Sequence, residues 1–529
     1  MEKHIKGSIL KTIGFALLSV LLFGMVLVLM ISSGERWYAY LILAACVGAL
    51  VFVRGSAFWR GWRIPLCWIM ALAVAWVALF AGQPSPVVEA YTGQKPEQPS
   101  APYPLLLNNV TIVDTRTGGL SPNMSILCAN GKIQAIAPAG TIQAGPDTKV
   151  VDAAGKFAVP GYLNMHMHVI GDTHTDETME SLLANGITGF RQMSGSYELL
   201  KEWHSGAFTN STDRAALLTM PGDVLTPINA PTPDIAADFV RLQKQAGADF
   251  IKVGGVTPDV FKAIQAEADR LKMPFAGHVQ PDMDLKEAAR NGIRSVEHFG
   301  INNGSLISSS TDEDTLRAQA MRIPAITGNP VFVQLMKIKG LQDFVNGQIL
   351  RMATSGGFME DAQLKHIIDT FSEEKAKELA AVYVQYNTWQ CPTLVRMRSN
   401  LFSQGSEAAA QELYDLYLKL ARIYDAAGVK MMTGTDGGSG DSWQTAGASL
   451  HEEFDELEKA GIPPLHVLQM TTLNGAEFLG RMNDMGTVDI GKNADLVLLD
   501  ANPIDSVQNL HKINAVIRAG DYHENKRKE

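Results

Sequence analysis

Hydrophobic and polar positions divide the chain into three regimes. In the first 82 residues, three runs carry no charge: Thr12–Ile31, Trp37–Val53 and Ile64–Ala81. Each has a length, roughly 17–25 residues, that spans a bilayer as a helix. A cleaved leader competes for the first run. That run, however, is longer than a usual leader core, lacks an A-x-A exit and is followed by two more. Lys3, Lys6 and Lys11 precede the first run, and Arg54, Arg60 and Arg63 separate the second from the third. The positive-inside rule then places the N-terminus in the cytoplasm. The pattern predicts a three-helix transmembrane anchor over 1–82, a multi-pass membrane location and everything later on the periplasmic or extracellular side. Residues 83–102, rich in Pro, Gln and Ser, read as a tether.

From Leu105 onward the period changes to short alternating strands, Leu105–Val113, Met124–Asn130 and Ile133–Ala137, with turns at Thr117–Gly119 and Asn130-Gly131. Ala494–Asp500 and Ala515–Ala519 have the same character. Between these ends, apolar strands alternate with helical patterns such as Pro258–Leu271 and Leu285–Asn291. The strands fall at Phe157–His166, Ile187–Gln192, Ala215–Thr219, Phe250–Val253, Phe275–His278, Ser295–His298, Thr388–Pro392 and Lys430–Asp436. The prediction is an α/β fold: a (β/α)8 TIM barrel over 157–482, with a small flanking β-sandwich domain from 103–156 and 483–522. A doubly wound sheet is the alternative. The stretch 302–387 exceeds the needs of one βα unit and suggests helices over the barrel mouth.

Charge and composition add mainly exclusions. A net charge of -10 gives no reason to expect nucleic acid as a partner. Cys46, Cys67, Cys128 and Cys391 are scattered and form no CxxC pair, so neither a thiolate zinc site nor a disulfide framework is indicated.

Polar residues gather where such a barrel does chemistry, at the C-terminal ends of its strands. His166 and His168 end the first, in "PGYLNMHMHV"; residues i and i+2 of a strand share a face, so both imidazoles stand side by side. Lys252, His278, His298 and Asp436 end the fourth, fifth, sixth and eighth. Each alone has an ordinary explanation. The histidine pair fits a polar strand face, His278 or His298 a satisfied core histidine, Lys252 a solvent-facing lysine, and Asp436 a turn or helix cap. Six gathered at five strand ends point instead to a shared metal centre.

With these residues in place, the sequence resembles the amidohydrolase superfamily of metal-dependent hydrolases over roughly 103–520. The likeness is to its imidazolonepropionase-like and Xaa-Pro/Xaa-Arg dipeptidase-like branch. It is carried by "PGYLNMHMH", "ADFIKVGG", "GHVQPDMDLKEAARNGIRSVEH", "TGTDGG" and "GTVDIGKNADLVLLDANP". The resemblance implies two divalent metal ions, with zinc fitting the nitrogen and oxygen donors and manganese, cobalt or iron as alternatives. It implies that His166, His168 and Asp436 hold a more buried ion and His278 and His298 a more exposed one. Lys252 would bridge the two as a carboxylated lysine. An unmodified ammonium does not fit between two cations, whereas a buried amine can lose its proton and add carbon dioxide. A mononuclear site is the alternative if Lys252 stays unmodified. The implied reaction is hydrolysis by a hydroxide bridging the metals, with Asp436 as the catalytic proton shuttle.

Several positions depart from the family's pattern. Asn164 replaces an Asp two places before His166, and Arg191-Gln192 replaces Arg-Asp at the second strand end. Gln280, two places after His278, argues against imidazolonepropionase activity, and a strand-five His-x-Glu for deamination is absent. Strand alternation turns Glu297 away from the metal, toward a salt bridge. His451 could face the mouth or cap a helix. Arg191, Gln280 and His451 are the candidates for substrate contact. The leading expectation is an enzyme, a membrane-anchored amidohydrolase cleaving a dipeptide or N-acyl amino acid. A lactone, cyclic amide or phosphotriester is the second, and a catalytically silent ligand-binding receptor the third. The expected partners are a small-molecule substrate and the lipid bilayer. The apolar runs, without intramembrane charges, suit an anchor and a homo-oligomer contact rather than a transport path.

Overall fold

The computed structural model describes residues 90, 91, 99–208, 211–329, 361–402, 407–438 and 440–525, with positions 332, 333, 336, 341, 344 and 345. The chain divides into two compact units, Val88–Ile323 with Thr354–Glu529, and Met1–Val87 with Pro324–Ala353. In the second of these, the described residues include a 3-10 turn at Ala325–Gly328. Everything below belongs to the first.

Five strands open the described chain: β1 (Leu105–Val113), β2 (Leu120–Ala129), β3 (Lys132–Pro138), β4 (Lys149–Asp152) and β5 (Phe157–Pro160). Three close it: β13 (Leu496–Leu499), β14 (Ile513–Arg518) and β15 (Asp521–Glu524). All eight join one hydrogen-bonded sheet, ordered β15-β14-β13-β5-β1-β2-β3 with β4 beside β1. The chain ends meet where β13 runs antiparallel to β5, with Val497 opposite Val159. Leu105, Leu107, Ile126, Ile133, Leu496, Leu498 and Ile517 form its core. Arg518, itself buried, is tied to Asp495 at 2.9 Å.

Between these ends lie β6 (Tyr162–Met167), β7 (Ile187–Gln192), β8 (Ala216–Thr219), β9 (Ile251–Val253), β10 (Phe275–Gly277), β11 (Ser295–Glu297) and β12 (Trp389–Cys391). β6-β7-β8 form one parallel sheet and β9 through β12 another. On one side the segment that follows β8 bridges β9 in parallel, Leu225 with Val253. On the other, the segment 431–437 bridges Gln390 through Met431 and Met167 through Gly437, which closes a ring of eight parallel segments. Every residue of β6, β7, β9, β10, β11 and β12 is buried. Unbroken burial is expected of parallel strands covered on one face by helices and on the other by the ring's interior.

The single strand read at Phe157–His166 is two. β5 belongs to the eight-stranded sheet and β6 to the ring, and the chain changes sheets at Gly161. A Cβ there would lie 2.1 Å from Thr188 Oγ1, so only glycine allows this close passage.

Among the described residues, no helix is long and apolar enough to cross a membrane. Glu407–Ala426, at 20 residues, has the length but carries Glu412, Asp415, Lys419, Arg422 and Asp425 along its course. The expected three transmembrane helices, and the multi-pass location read from them, find no support among the described residues. The apolar runs that suggested both lie within residues 1–82, outside the described residues.

Gly277 ends β10 immediately before His278. Its φ is +135°, and a Cβ would stand 2.2 Å from the Val253 carbonyl oxygen. Gly277→Ala is therefore expected to cost about 2–3 kcal/mol in urea unfolding, because neither backbone can yield without moving β9.

Candidate metal centre

Four histidines and one aspartate converge inside the C-terminal end of the ring. His166 lies on β6 and His168 just beyond it; His278 follows β10 and His298 follows β11. Ring centroids are 4.7 Å apart for His166 and His298, 5.1 Å for His278 and His298, and 5.5 Å for His166 and His168. Asp436 Oδ1 lies 3.2 Å from His166 Nε2 and 3.0 Å from His168 Nε2, and its Oδ2 lies 3.9 Å from His298 Nε2. Lys252 Nζ, buried on β9, is 3.5 Å from His278 Nε2. The structure thus brings together all six strand-end residues named from the sequence.

The histidines share one orientation. His166 Nδ1 meets Glu297 at 2.7 Å, His168 Nδ1 the Ser194 hydroxyl at 2.9 Å, His278 Nδ1 the Gly254 carbonyl at 2.7 Å and His298 Nδ1 the Thr393 hydroxyl at 2.6 Å. Each Nδ1 is occupied from outside the cluster, which turns each Nε2 inward. Against a carbonyl or carboxylate Nδ1 must donate, so His278 and His166 offer an Nε2 lone pair. His166 Nε2 is buried with no hydrogen-bond partner. A buried orphan acceptor facing a carboxylate is costly unless a cation lies between them.

Burial lowers the pKa of His168, pushes that of His298 down to about 3 and takes that of His278 well below the usual range. All three are therefore neutral lone-pair donors at physiological pH. Burial likewise lowers Lys252 from the ordinary lysine value to about 8, against the pull of Glu297 and Asp436. Burial acts to raise the Asp436 carboxyl, but His166 and His298 outweigh it and hold the group well below its ordinary value. A second cluster, His166 with Glu297 and Cys391, is also close enough for one ion. It suits one less well. Burial raises the Cys391 thiol well above its ordinary range, and Glu297 is already engaged on both sides.

The backbone bends sharply to present these groups. Asp436, His298 and Thr393 have φ of 55°, 58° and 49°. Left-handed backbone at non-glycine residues costs energy and gathers at functional sites. It also accounts for a correction at Glu297, which does not point away from the cluster. Buried Ser295 and Glu297 face the ring interior, and His298 returns to the same side through its positive φ. Glu297 thereby becomes the floor of the site. It accepts from Ser295 at 2.5 Å and from Arg191 at 2.9 and 3.0 Å, as well as meeting His166.

The proposed substrate contacts fare differently. Arg191 is buried beneath the cluster, also donating to the Met165 carbonyl at 2.5 Å, so it positions Glu297 and cannot meet a substrate. His451 sits on the helix Ser449–Lys459, with Nε2 2.9 Å from the Asn185 carbonyl and its ring against Tyr162 and Phe454. Tyr162 begins β6, which puts His451 at the end of the ring away from the metal cluster. Gln280 is buried and packs on the loop after β9, where a Cβ at Gly255 would lie 2.4 Å from its Nε2. Asn164 donates to Thr435 at 3.0 Å, and Gln192 Oε1 accepts from the amides of Val169 and Ile170 at 2.8 and 3.1 Å. Both departures from the family pattern thus steady chain segments beside His166, His168 and Asp436. Ser194 and Thr393 were not singled out in the sequence; a hydroxyl at a loop start carries no signal of its own.

Residues 405–522 match the amidohydrolase family. Over 89 residues the chain is 32% identical to an adenine deaminase of Rubrobacter xylanophilus, covering 17% of this chain and 15% of that protein. Over 60 residues it is 40% identical to an imidazolonepropionase of Shouchella clausii, covering 11% of this chain and 13% of that protein. The matches therefore span far less than two thirds of those relatives. Among solved structures, a putative prolidase from Bifidobacterium longum aligns with TM-score 0.54 and 20% identity, over 80% of this chain and 95% of that one. A Xaa-Pro dipeptidase with bound methionine aligns with TM-score 0.55 and 16% identity, over 80% of this chain and 100% of that one. At these identities the structural likeness shows the fold.

Proposed function

We propose that the chain is a metal-dependent hydrolase of a carbon–nitrogen bond in a small amide, either a dipeptide or an N-acyl amino acid. One observation carries this reading: four imidazole Nε2 atoms, the Asp436 carboxylate and the Lys252 amine converge, each histidine locked from behind through Nδ1. The donors fit two divalent cations, with His166, His168 and Asp436 on one and His278 and His298 on the other. Lys252 would supply a further oxygen donor if its amine, lowered to about 8 by burial, lost its proton and added carbon dioxide, releasing a second proton to give a carbamate. When bound, such ions polarise a carbonyl and make water acidic near neutral pH. The chain's own contribution is positional. Glu297 and Arg191 fix His166, Thr393 fixes His298, and Asp436 takes the proton of the attacking water and returns it to the leaving nitrogen.

Among nitrogen-releasing reactions, deamination has less support. Gln280, at the place two residues after His278, cannot carry a proton. The test is to load the protein with zinc and bicarbonate, count metal by mass spectrometry, and incubate it with mixed dipeptides, N-acyl amino acids and adenine. The expected result is close to two ions per chain, a carbamate carbon signal from labelled bicarbonate, and release of free amino acids but not ammonia. Metal-loaded protein that releases no amino acid overturns the reading.

A further inference from the structure

One cation at the site has no role in what precedes. Arg396 lies in the first turn of the helix Leu394–Phe402, three residues after Thr393, whose hydroxyl holds His298. Its Nε is 3.5 Å from Asp436 Oδ2 yet is buried without a hydrogen-bond partner, so this contact is an ion pair at a distance. No acceptor holds its other N–H groups among the described residues. Its side chain is 31% exposed, enough to meet a ligand arriving through the mouth.

Its neighbour behaves otherwise. Arg398 is committed, with Nη1 2.8 Å from Glu456 and Nη2 3.4 Å from Glu452. The turn carrying Arg396 is itself pinned, since the Val395 amide donates to buried Glu453 at 2.8 Å. A fixed, half-buried guanidinium whose one carboxylate contact is the long 3.5 Å pair with Asp436 is poised for a planar, two-oxygen anion.

We propose that Arg396 binds the α-carboxylate of the departing amino acid, so that the substrate must end in a free carboxylate. The inference rests on the amide-hydrolase reading and deepens it, assigning a residue to the carboxylate that a dipeptide or N-acyl amino acid carries. Covalent geometry supplies the reason. In that reading the leaving nitrogen takes its proton from Asp436, and an α-carboxylate stands two bonds from that nitrogen. A cation within 3.5 Å of Asp436 is at the reach such a carboxylate requires.

The experiment compares N-acetyl amino acids with the corresponding N-acetyl amino acid amides, as turnover and, independently, as binding to the metal-loaded protein by saturation-transfer NMR. The wild-type chain is expected to favour the acids by about 30-fold or more. Arg396→Met should bring the acid-to-amide ratio close to one, chiefly through KM, whereas Arg396→Lys, which keeps charge without the planar fork, should retain part of it. Taking the ratio within each variant removes any loss of folded protein. An unchanged ratio in Arg396→Met overturns the inference while leaving the hydrolase reading intact, as does a wild-type chain that treats acid and amide alike. If acids bind in an Arg396-dependent way but nothing is cleaved, the carboxylate site stands and the hydrolase reading falls.

Discussion

Asp436→Asn is expected to lower kcat on amide substrates by about 10^3- to 10^4-fold at saturating metal, because a positioned proton carrier typically contributes 10^2–10^4 and here one group serves both transfers. Asparagine keeps the shape and an acceptor oxygen but removes the charge and the proton site. The carboxylate also faces His166 and His168 at 3.2 and 3.0 Å, so metal affinity should weaken by about tenfold or more. The two effects separate experimentally: titrating zinc against the variant gives the affinity, and kcat at the plateau gives the chemistry. A plateau within tenfold of wild type would remove Asp436 from the proton path. Folding should change little, since the Asp436 amide still donates to the His166 carbonyl at 2.9 Å and fixes the turn.

The six clustered side chains were legible because parallel strands impose their placement. Each strand of the ring runs in one direction and ends at one rim, so a polar residue closing an apolar run marks that rim without knowledge of any contact. His166, His168, Lys252, His278, His298 and Asp436 all carried that mark. What supports them did not. The salt bridge expected of Glu297 forms with Arg191, but its direction was hidden, because alternation assumes extended backbone through His298 and the φ of 58° there places two consecutive side chains on one side. Arg191 ends a strand as the ligands do, yet its reach across the interior to Ser295 and Glu297 depends on a partner more than 100 positions away. Such pairings are fixed by topology, and so are Thr393 against His298 and Arg396 against Asp436. Gly161 was hidden for the opposite reason. Apolar residues on both sides read as one strand, and only the close approach of Thr188 shows the break.

Lys252→Met separates a lysine kept for chemistry from one kept for stability. Activity should fall by several orders of magnitude, because the proposed carbamate could not form. Stability of the metal-free protein should move the other way. Lys252 is 2% exposed on β9, and burial lowers its pKa to about 8 against an ordinary value of 10.5. The folded chain therefore holds this proton less tightly than the unfolded chain. Below about pH 8 both states are protonated and the full cost is present, about 3 kcal/mol as an upper figure. Between pH 8 and 10.5 the folded state releases its proton first, stability rises with pH, and above that range the cost is gone. Methionine fills a similar volume without charge, so in urea unfolding at pH 7 the variant should exceed metal-free wild type by about 1–3 kcal/mol. The gain should shrink steadily toward pH 10.5. A variant less stable than wild type at pH 7 would show instead that attraction from Glu297 and Asp436 outweighs desolvation, making Lys252 part of a structural ion network. Wild-type protein in zinc and bicarbonate should escape the penalty altogether, because a carbamate on Lys252 would carry the opposite charge beside bound cations.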